Sequence, residues 1–335
     1  MSGHDAVEAG TGAEATARDF DVALLDLDGV VYTGSRAVPH AVEVLAQVRR
    51  QGMALAFVTN NASRTPKAVA EHLTELGVPA EPEDVVTSAQ AAARVVAERL
   101  PEGAAVLVVG GEGLESALRE RGLRPVWSAE DEPAAVVQGF APGVDWAALT
   151  EATYAVAAGV LWVASNADLT IPTERGIAPG NGALVGVVRA ATGAEPIVAG
   201  KPELPLHRET ILRTGARRPL VVGDRLDTDI EGACNGGVDS LLVLTGVTTP
   251  AGLLAAEPGR RPTYIAEDLR VLLGVLPVAR REGDAWVCGG WSARVVDGAV
   301  DVSGTGERID GLRAACAAAW EGDADTSGLA GRLGW

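Results

Sequence analysis

Asp26-Leu27-Asp28-Gly29-Val30 places two carboxylates two residues apart at the end of a short apolar run, Asp21–Leu27. On an extended strand positions 26 and 28 point the same way, while Leu25 and Leu27 face the other. Two acids this close do not both ionise comfortably without a cation, so either a metal sits beside them or one keeps its proton. A carboxylate there can accept a phosphoryl group, because the mixed anhydride it forms is readily hydrolysed. Its neighbour is placed to protonate a leaving oxygen and later to deprotonate an attacking water. The plainer alternative is a turn that merely uses Asp-Gly chemistry.

Three further stretches carry compatible chemistry. Thr59-Asn60-Asn61 ends a second apolar run and offers a hydroxyl, amides and backbone N–H groups to phosphoryl oxygens. A helix cap or Asx turn would use the same residues. Lys201, between Gly200 and Pro202, can neutralise charge on a transferring group, although an isolated lysine is usually a solvated surface charge. Gly223-Asp224-Arg225-Leu226-Asp227-Thr228-Asp229 again puts acids at a strand end. A few carboxylates completed by water and substrate phosphate are what magnesium prefers. A capped Gly-Asp turn would account for one acid there but hardly for three.

In this order, the four stretches resemble the motifs of the haloacid dehalogenase-like (HAD) phosphatases. Asp26 and Asp28 fall on the family's first motif, Thr59 on its second, Lys201 on its third, and Asp224 with Asp229 on its fourth. The resemblance implies that Asp26 is nucleophile and Mg²⁺ ligand, and that Asp28 is the general acid/base and binds metal through its backbone carbonyl. It also implies that Asp224 ligates Mg²⁺, with Asp229 beside it or just behind. The second aspartate separates phosphatases from the family's dehalogenases, and DLDGV differs from the DKTGT of its ion pumps.

The likeness covers about residues 20–278. TNNAS, the GGEG turn, SNAD, PGNGALV, GKPE and GDRLDTDI, with a long insertion between the second and third motifs, look like the type-IIA cap subgroup. That subgroup includes phosphoglycolate, 4-nitrophenyl phosphate, pyridoxal phosphate and nucleotide phosphatases. The extra C-terminal segment makes the layout most similar to actinobacterial glycerol-3-phosphate phosphatases, which carry a short acetyltransferase-like tail. The expected reaction is therefore that of a phosphoric monoester hydrolase, with glycerol 3-phosphate the first choice of substrate and phosphoglycolate, sugar, nucleotide or pyridoxal phosphates next. In such enzymes the cap contacts the leaving group, and Asn166, Asp168 and Arg175 in the loop Asn166–Gly182 are the candidates here. A polar connecting loop is the plainer use of that stretch.

The elements that must position these residues follow a strand-helix alternation. After the first run, a helix is predicted over Pro39–Gln51, a strand over Ala54–Val58, and a helix from Pro66 stopped by Gly77. A short strand at Val85-Val86 leads to a helix capped by Ser88 and reaching Leu100. Pro101-Glu102-Gly103 reads as a seam. Beyond it come a strand starting at Ala105 (AVLVVG), helix Leu114–Gly122, strand Ala134–Gln138, helix Trp146–Ala157, strand Leu161–Ala164, the Pro/Gly-rich loop and helix Ala183–Thr192, and Pro196–Val198 closes this middle block. The alternation resumes with helix Pro205–Thr214, strand Pro219–Val222, helix Thr228–Asn235, strand Ser240–Leu244, strand Tyr264-Ile265 and helix Asp268–Leu273. The last part is rich in tryptophan, with a hairpin over Ala293–Val302 turning at Asp297-Gly298 and an Ala-rich helix over Arg308–Trp320. It is too small to bury a core alone and should pack on the body.

The expected architecture is α/β: a HAD-like Rossmannoid parallel sheet core, an inserted α/β type-IIA cap domain and a small C-terminal α+β extension. The expected division is a disordered tail over 1–18, core over 19–102 and 198–278, cap over 103–197 and extension over 279–335.

Composition narrows the partners. Of 335 residues 47% are apolar, as in a globular chain, and a formal net charge of −17 repels nucleic acid and anionic membrane. Any phosphate site must therefore be a local concentration of donors and metal. Three widely spaced cysteines and four scattered histidines argue against a disulfide framework and a zinc site. Without an apolar leader or a membrane-length run, a cytoplasmic setting is expected. The expected partner is a small phosphate ester, and the cap or the extension offers the surface for a homodimer.

Two other readings draw on the same residues. A phospho-aspartate receiver also combines acids, Thr, Lys and Mg²⁺, but keeps the phosphoryl group rather than turning it over. A nicotinamide-binding sheet would need a complete Gly-x-Gly-x-x-Gly, which neither DLDGVV nor Gly110-Gly111-Glu112-Gly113 supplies.

Overall fold

The structure, a computed structural model, describes residues 15–173, 175–322 and 324–335. The chain forms two compact units: Met1–Ala56, Leu76–Val78 and Ala216–Trp335 in one, Phe57–Glu75 and Pro79–Gly215 in the other. Among the described residues no helix is long and apolar enough to cross a membrane.

In the first unit the sheet runs in the order Tyr264–Ala266, Asp239–Val243, Pro219–Gly223, Val22–Leu25 and then the start of strand Ala54–Thr59. Val22–Leu25 pairs in parallel with Pro219–Gly223, Ala23 opposite Leu220 and Leu25 opposite Val222. Every residue of Val22–Leu25 is buried, which is why this strand reads as a continuous apolar run rather than an alternation. The first strand in sequence lies inside the sheet and later strands add on either side of it. The carboxyl ends at such a reversal of order form the usual binding crevice of an open α/β sheet. Helix Ala41–Arg50 buries Ala41, Val44, Leu45 and Val48 at helical spacing.

The C-terminal segment forms an antiparallel sheet of Arg280–Glu282, Ala285–Cys288, Trp291–Val296 and Ala299–Gly304. Asp297 and Gly298 both take positive φ, as a two-residue hairpin turn requires. Helix Arg308–Gly322 packs on this sheet, and its Ile309, Leu312 and Cys316 share one apolar cluster with Ile230, Leu242, Leu253 and Ile265. The buried Arg313 guanidinium donates to the carbonyl of Ile265 at 2.9 and 2.6 Å and to Asp310 at 2.6 Å. Among the described residues the extension thus shares the core of the sheet it packs on.

In the second unit the end of strand Ala54–Thr59 pairs in parallel with Val85–Thr87. A separate parallel sheet runs Ile197–Val198, Leu161–Ala164, Ala135–Gln138, Ala105–Val109, Arg124–Val126. Helices Trp146–Ala157 and Asn181–Thr192 cover it through Leu149, Ala152, Val156, Val185 and Val188. Asp145 begins the first of these helices by accepting the Ala148 N–H at 2.9 Å.

Several expectations need correction. The Pro/Gly-rich stretch after Asn166 is not all loop, because Thr170–Thr173 pairs antiparallel with Gly176–Pro179. Pro172 and Pro179 are tolerated because a two-stranded ribbon consists of edges. Instead of a plain helix from Thr228, a wide π-type turn over Leu226–Ile230 precedes helix Glu231–Gly236. Thr87, not Ser88, caps helix Ser88–Ala97, in a reciprocal box with Gln90. Strand Arg124–Val126 and helix Pro250–Leu254 have no counterpart in the sequence pattern. Of the tail expected to be disordered, residues 1–14 lie outside the described residues, while Ala15–Thr16 pairs with Val275–Leu276 and a 3₁₀ turn follows over Ala17–Asp19. Pro101–Gly103 is a tight turn with Gly103 at positive φ.

Candidate active site

The acidic centre is built at the carboxyl ends of two adjacent strands. The Asp26 N–H extends the ladder to the Val222 carbonyl at 2.9 Å. The Leu27 carbonyl then takes the N–H groups of Val30, Val31 and Tyr32, folding the chain sharply back with Gly29 at φ +80°. Leu25 and Leu27 are buried, whereas Asp26 is half-buried and Asp28 exposed, so the acids occupy the face opposite the leucines. Asp28 bridges to Tyr32 beyond the turn.

Asp224 follows strand Pro219–Gly223 and is 1% exposed. Its Oδ2 accepts the Val247 N–H at 2.6 Å, and its carbonyl accepts the Thr248 N–H at 3.1 Å. The Thr245 hydroxyl donates to the Gly29 carbonyl at 2.5 Å, tying this loop to the first turn. Glycine is required on both sides. A Cβ on Gly246 would stand 1.9 Å from Asp224 Oδ2, and one on Gly29 2.5 Å from it. Asp229 is equally buried and accepts the Arg225 N–H at 3.2 Å. The π-type turn carries it beneath Gly223, where an added Cβ would lie 2.2 Å from that of Asp229.

These contacts bring one carboxylate oxygen each of Asp26, Asp224 and Asp229 within 4.8 Å of one another. At an effective dielectric near 20, two full charges at that separation repel by roughly 3 kcal/mol. Three together call for a cation or a shared proton. An all-oxygen set with no nitrogen or sulfur fits a hard divalent ion such as magnesium. It is the one such group of three among the described residues.

A second cluster belongs wholly to the other unit. Thr59 is buried at the end of its strand, and its hydroxyl oxygen accepts the Asn61 N–H at 3.0 Å, leaving the hydroxyl proton to be donated. The Asn61 side-chain oxygen accepts from the Ser63 N–H and hydroxyl, both at 2.9 Å, in an Asx turn. The Lys201 ammonium donates to the Val58 carbonyl at 3.3 Å, one residue before Thr59. Asn60 joins the rest: its side-chain oxygen takes the Lys201 N–H at 2.8 Å, and its amide nitrogen donates to the Lys201 carbonyl at 3.1 Å and to Asp168 at 3.2 Å. The Asn60 carbonyl accepts from Ser88 at 2.6 Å and from Asn166 at 2.8 Å. Asn181 supports Asn166 from behind, donating to its carbonyl at 2.7 Å.

The glycines of the surrounding motifs serve close backbone approach. A Cβ on Gly182 would fall 2.2 Å from the Ala167 carbonyl, and one on Gly113 2.4 Å from that of Ala62. This accounts for GNG and GGEG without any nucleotide.

Asp26, Asp224 and Asp229 thus meet, as do Asn60, Asn166, Asp168 and Lys201. Arg175 stands apart, exposed at the hairpin tip, and among the described residues no hydrogen bond or ion pair joins its side chain to the other candidates. The sequence pattern does not mark Thr245–Thr248, Ser88 or Asn181 as part of either cluster. The one signal for the first is a glycine between threonine and valine directly after an apolar strand.

Comparison with known proteins gives matches over most of the chain. Residues 23–124 match a haloacid dehalogenase-like hydrolase model, residues 198–272 a HAD-hydrolase-like model, and residues 288–332 a GCN5-related N-acetyltransferase-like domain. The D-glycerol 3-phosphate phosphatase of Mycobacterium tuberculosis is 49% identical over 320 residues, covering 92% of this chain and 88% of that protein. A crystal structure of a glycerol phosphate phosphatase from the same organism, in complex with magnesium, superposes with TM-score 0.85 at 48% identity, covering 92% of this chain and 93% of the other. A 5'-nucleotidase of Bacillus subtilis is 36% identical over 248 residues, covering 73% of this chain and 94% of its own length.

Proposed function

We propose that this chain, which belongs to the haloacid dehalogenase-like hydrolase family and is a magnesium-dependent phosphatase, hydrolyses glycerol 3-phosphate to glycerol and phosphate by way of Asp26. The observation that carries the catalytic reading is the convergence of Asp26, Asp224 and Asp229 within 4.8 Å. The choice of substrate rests on the 49% identity to a phosphatase of that name, which extends over 92% of the chain.

In this reading an Asp26 carboxylate oxygen attacks phosphorus and the bond from phosphorus to the glycerol oxygen breaks. Asp28 gives its proton to the departing oxygen, so that neutral glycerol leaves. Asp28, now a carboxylate, takes a proton from water as that water attacks the phosphorus. Inorganic phosphate departs and Asp26 returns as a carboxylate. Asp26, Asp224 and the Asp28 carbonyl, with Asp229 beside them, would hold Mg²⁺, which when bound supplies positive charge to the phosphoryl oxygens. Thr59 donates its hydroxyl proton to a phosphoryl oxygen, Asn61 contributes its amide, and Lys201 balances charge. Arg175 is the candidate contact to the leaving group, and Asn166 and Asp168, both bonded to Asn60, are the other two candidates.

A panel of phosphate esters assayed with Mg²⁺ and ranked by kcat/KM tests the substrate. Glycerol 3-phosphate should lead it. A nucleoside monophosphate at the head would favour the second reading, which the 36% relative supports. The five-part division with an inserted cap, a homodimer through cap or extension and a cytoplasmic setting belong to the same proposal. The unpaired cysteines support the last.

A further inference from the structure

Asn60 lies in the stretch expected to bind phosphate, yet its polar atoms face protein groups. Its amide meets both backbone groups of a single residue, taking the Lys201 N–H at 2.8 Å and donating to the Lys201 carbonyl at 3.1 Å. The same nitrogen donates to both Asp168 oxygens, at 3.3 and 3.2 Å. A primary amide has two protons, and here one serves a peptide carbonyl and the other a carboxylate. The amide therefore has no proton left for a phosphoryl oxygen.

The clamp is stiff from both sides. The Asn60 peptide is fixed by Ser88, fully buried, and by Asn166, itself held by Asn181. Across from it, Gly200 lets the chain approach so closely that an added Cβ would lie 2.6 Å from Asn60 Oδ1 and 2.6 Å from the Ser165 carbonyl. The outcome is a Lys201 backbone locked in register with the end of strand Ala54–Thr59. Its four-carbon stem then sets the ammonium near the Val58 carbonyl, next to Thr59.

We infer that Asn60 is a positioning residue that acts through Lys201: it reads the lysine's peptide groups and thereby aims the ammonium, rather than touching substrate. This rests on the reading of Lys201 as the group that balances phosphoryl charge. Lysine loses several free rotors when held, and fixing its backbone leaves fewer to be ordered at the reaction.

A double-mutant cycle with 4-nitrophenyl phosphate as substrate separates the cases. Lys201→Ala should lower kcat by about 10²–10³-fold. Asn60→Ala should lower kcat by about 10- to 100-fold with little change in KM. The double variant should be no slower than Lys201→Ala alone, because with the ammonium gone there is nothing left to aim. Asn60→Asp keeps an acceptor for the Lys201 N–H but sets a carboxylate against Asp168, and should behave like Asn60→Ala. It stands in if the alanine variant does not fold. Thermal melts in EDTA establish that each variant is folded. Losses that multiply in the double variant, or an Asn60 effect confined to KM, would overturn the inference. An unimpaired Lys201→Ala would instead remove the role of the lysine itself.

Discussion

Two clusters of acidic side chains in this molecule are arranged in opposite ways. In the second unit the fully buried Glu209 meets three guanidiniums: Arg94, Arg121 at 2.7 Å and Arg213 at 2.5 Å. Burial pushes its carboxyl up, but the hydrogen bonds and charges of Arg94, Arg213 and Arg121 outweigh this and hold it below the usual carboxylate range. In the first unit Asp26, Asp224 and Asp229 bring one carboxylate oxygen each within 4.8 Å of one another. Glu209 is neutralised by its own chain and ties helices together. The aspartates concentrate charge in a form that a divalent ion and a phosphate can use, at a cost to the fold.

The sharpest way to break this contrast is Asp26→Asn. Phosphate release should fall on the order of 10⁴-fold or more. In EDTA the same variant should unfold no earlier than the parent, because removing one of three crowded carboxylates relieves their mutual repulsion. A variant that is both active and destabilised would place Asp26 among structural acids. Glu209→Ala should do the reverse. Urea unfolding should show a loss of about 2–3 kcal/mol, below the full value for breaking a buried pair because the arginines are partly exposed, with kcat little changed under folding conditions.

Magnesium should separate the clusters next. At about a hundred times its dissociation constant the ion should stabilise the parent by about 2.7 kcal/mol, read as a rise in melting temperature. Glu209→Ala should keep that rise and Asp224→Asn should lose it. The smallest effect is one of pH. Because the Glu209 carboxyl is depressed in the folded state, its contribution is complete above its unfolded value near 4.5 and is lost as pH falls through the lower folded value. Parent stability should therefore decline more steeply below pH 4.5 than that of Glu209→Gln. Parallel slopes would mean that the arginine cluster does not bind the charged form preferentially.

How much of this is legible in the chain follows from the range of the interactions concerned. Buried parallel strands such as Val22–Leu25 and Ala105–Val109 announce themselves as unbroken apolar runs, and helix Trp146–Ala157 is announced by its apolar spacing and bounded by Asp145. The acids at strand ends are legible for the same reason, since the strand end dates them. Hairpin Thr170–Gly176 onward is hidden because its prolines speak for loop, and only a ribbon made of edges accommodates them. The π-type turn before Glu231 is hidden because it depends on where Asp229 must point. Least legible are the partners that act across long stretches of sequence. Val247 on Asp224 and Asn60 on Lys201 are contacts of backbone with side chain, and such contacts leave no periodicity behind.

Arg313 carries a consequence for the history of the molecule. Tyr264–Ala266 is the outermost strand of its sheet, and the guanidinium of a later helix occupies the carbonyl of Ile265 there. Leu253, Ile265 and Leu242 are greasy because that helix shields them. A phosphatase that has grown such a cover becomes committed to it: a stop codon before the appendage would bare a sticky rim and invite one molecule to stack on the next. Losing the appendage would therefore expose that rim unless polar residues replaced its apolar ones.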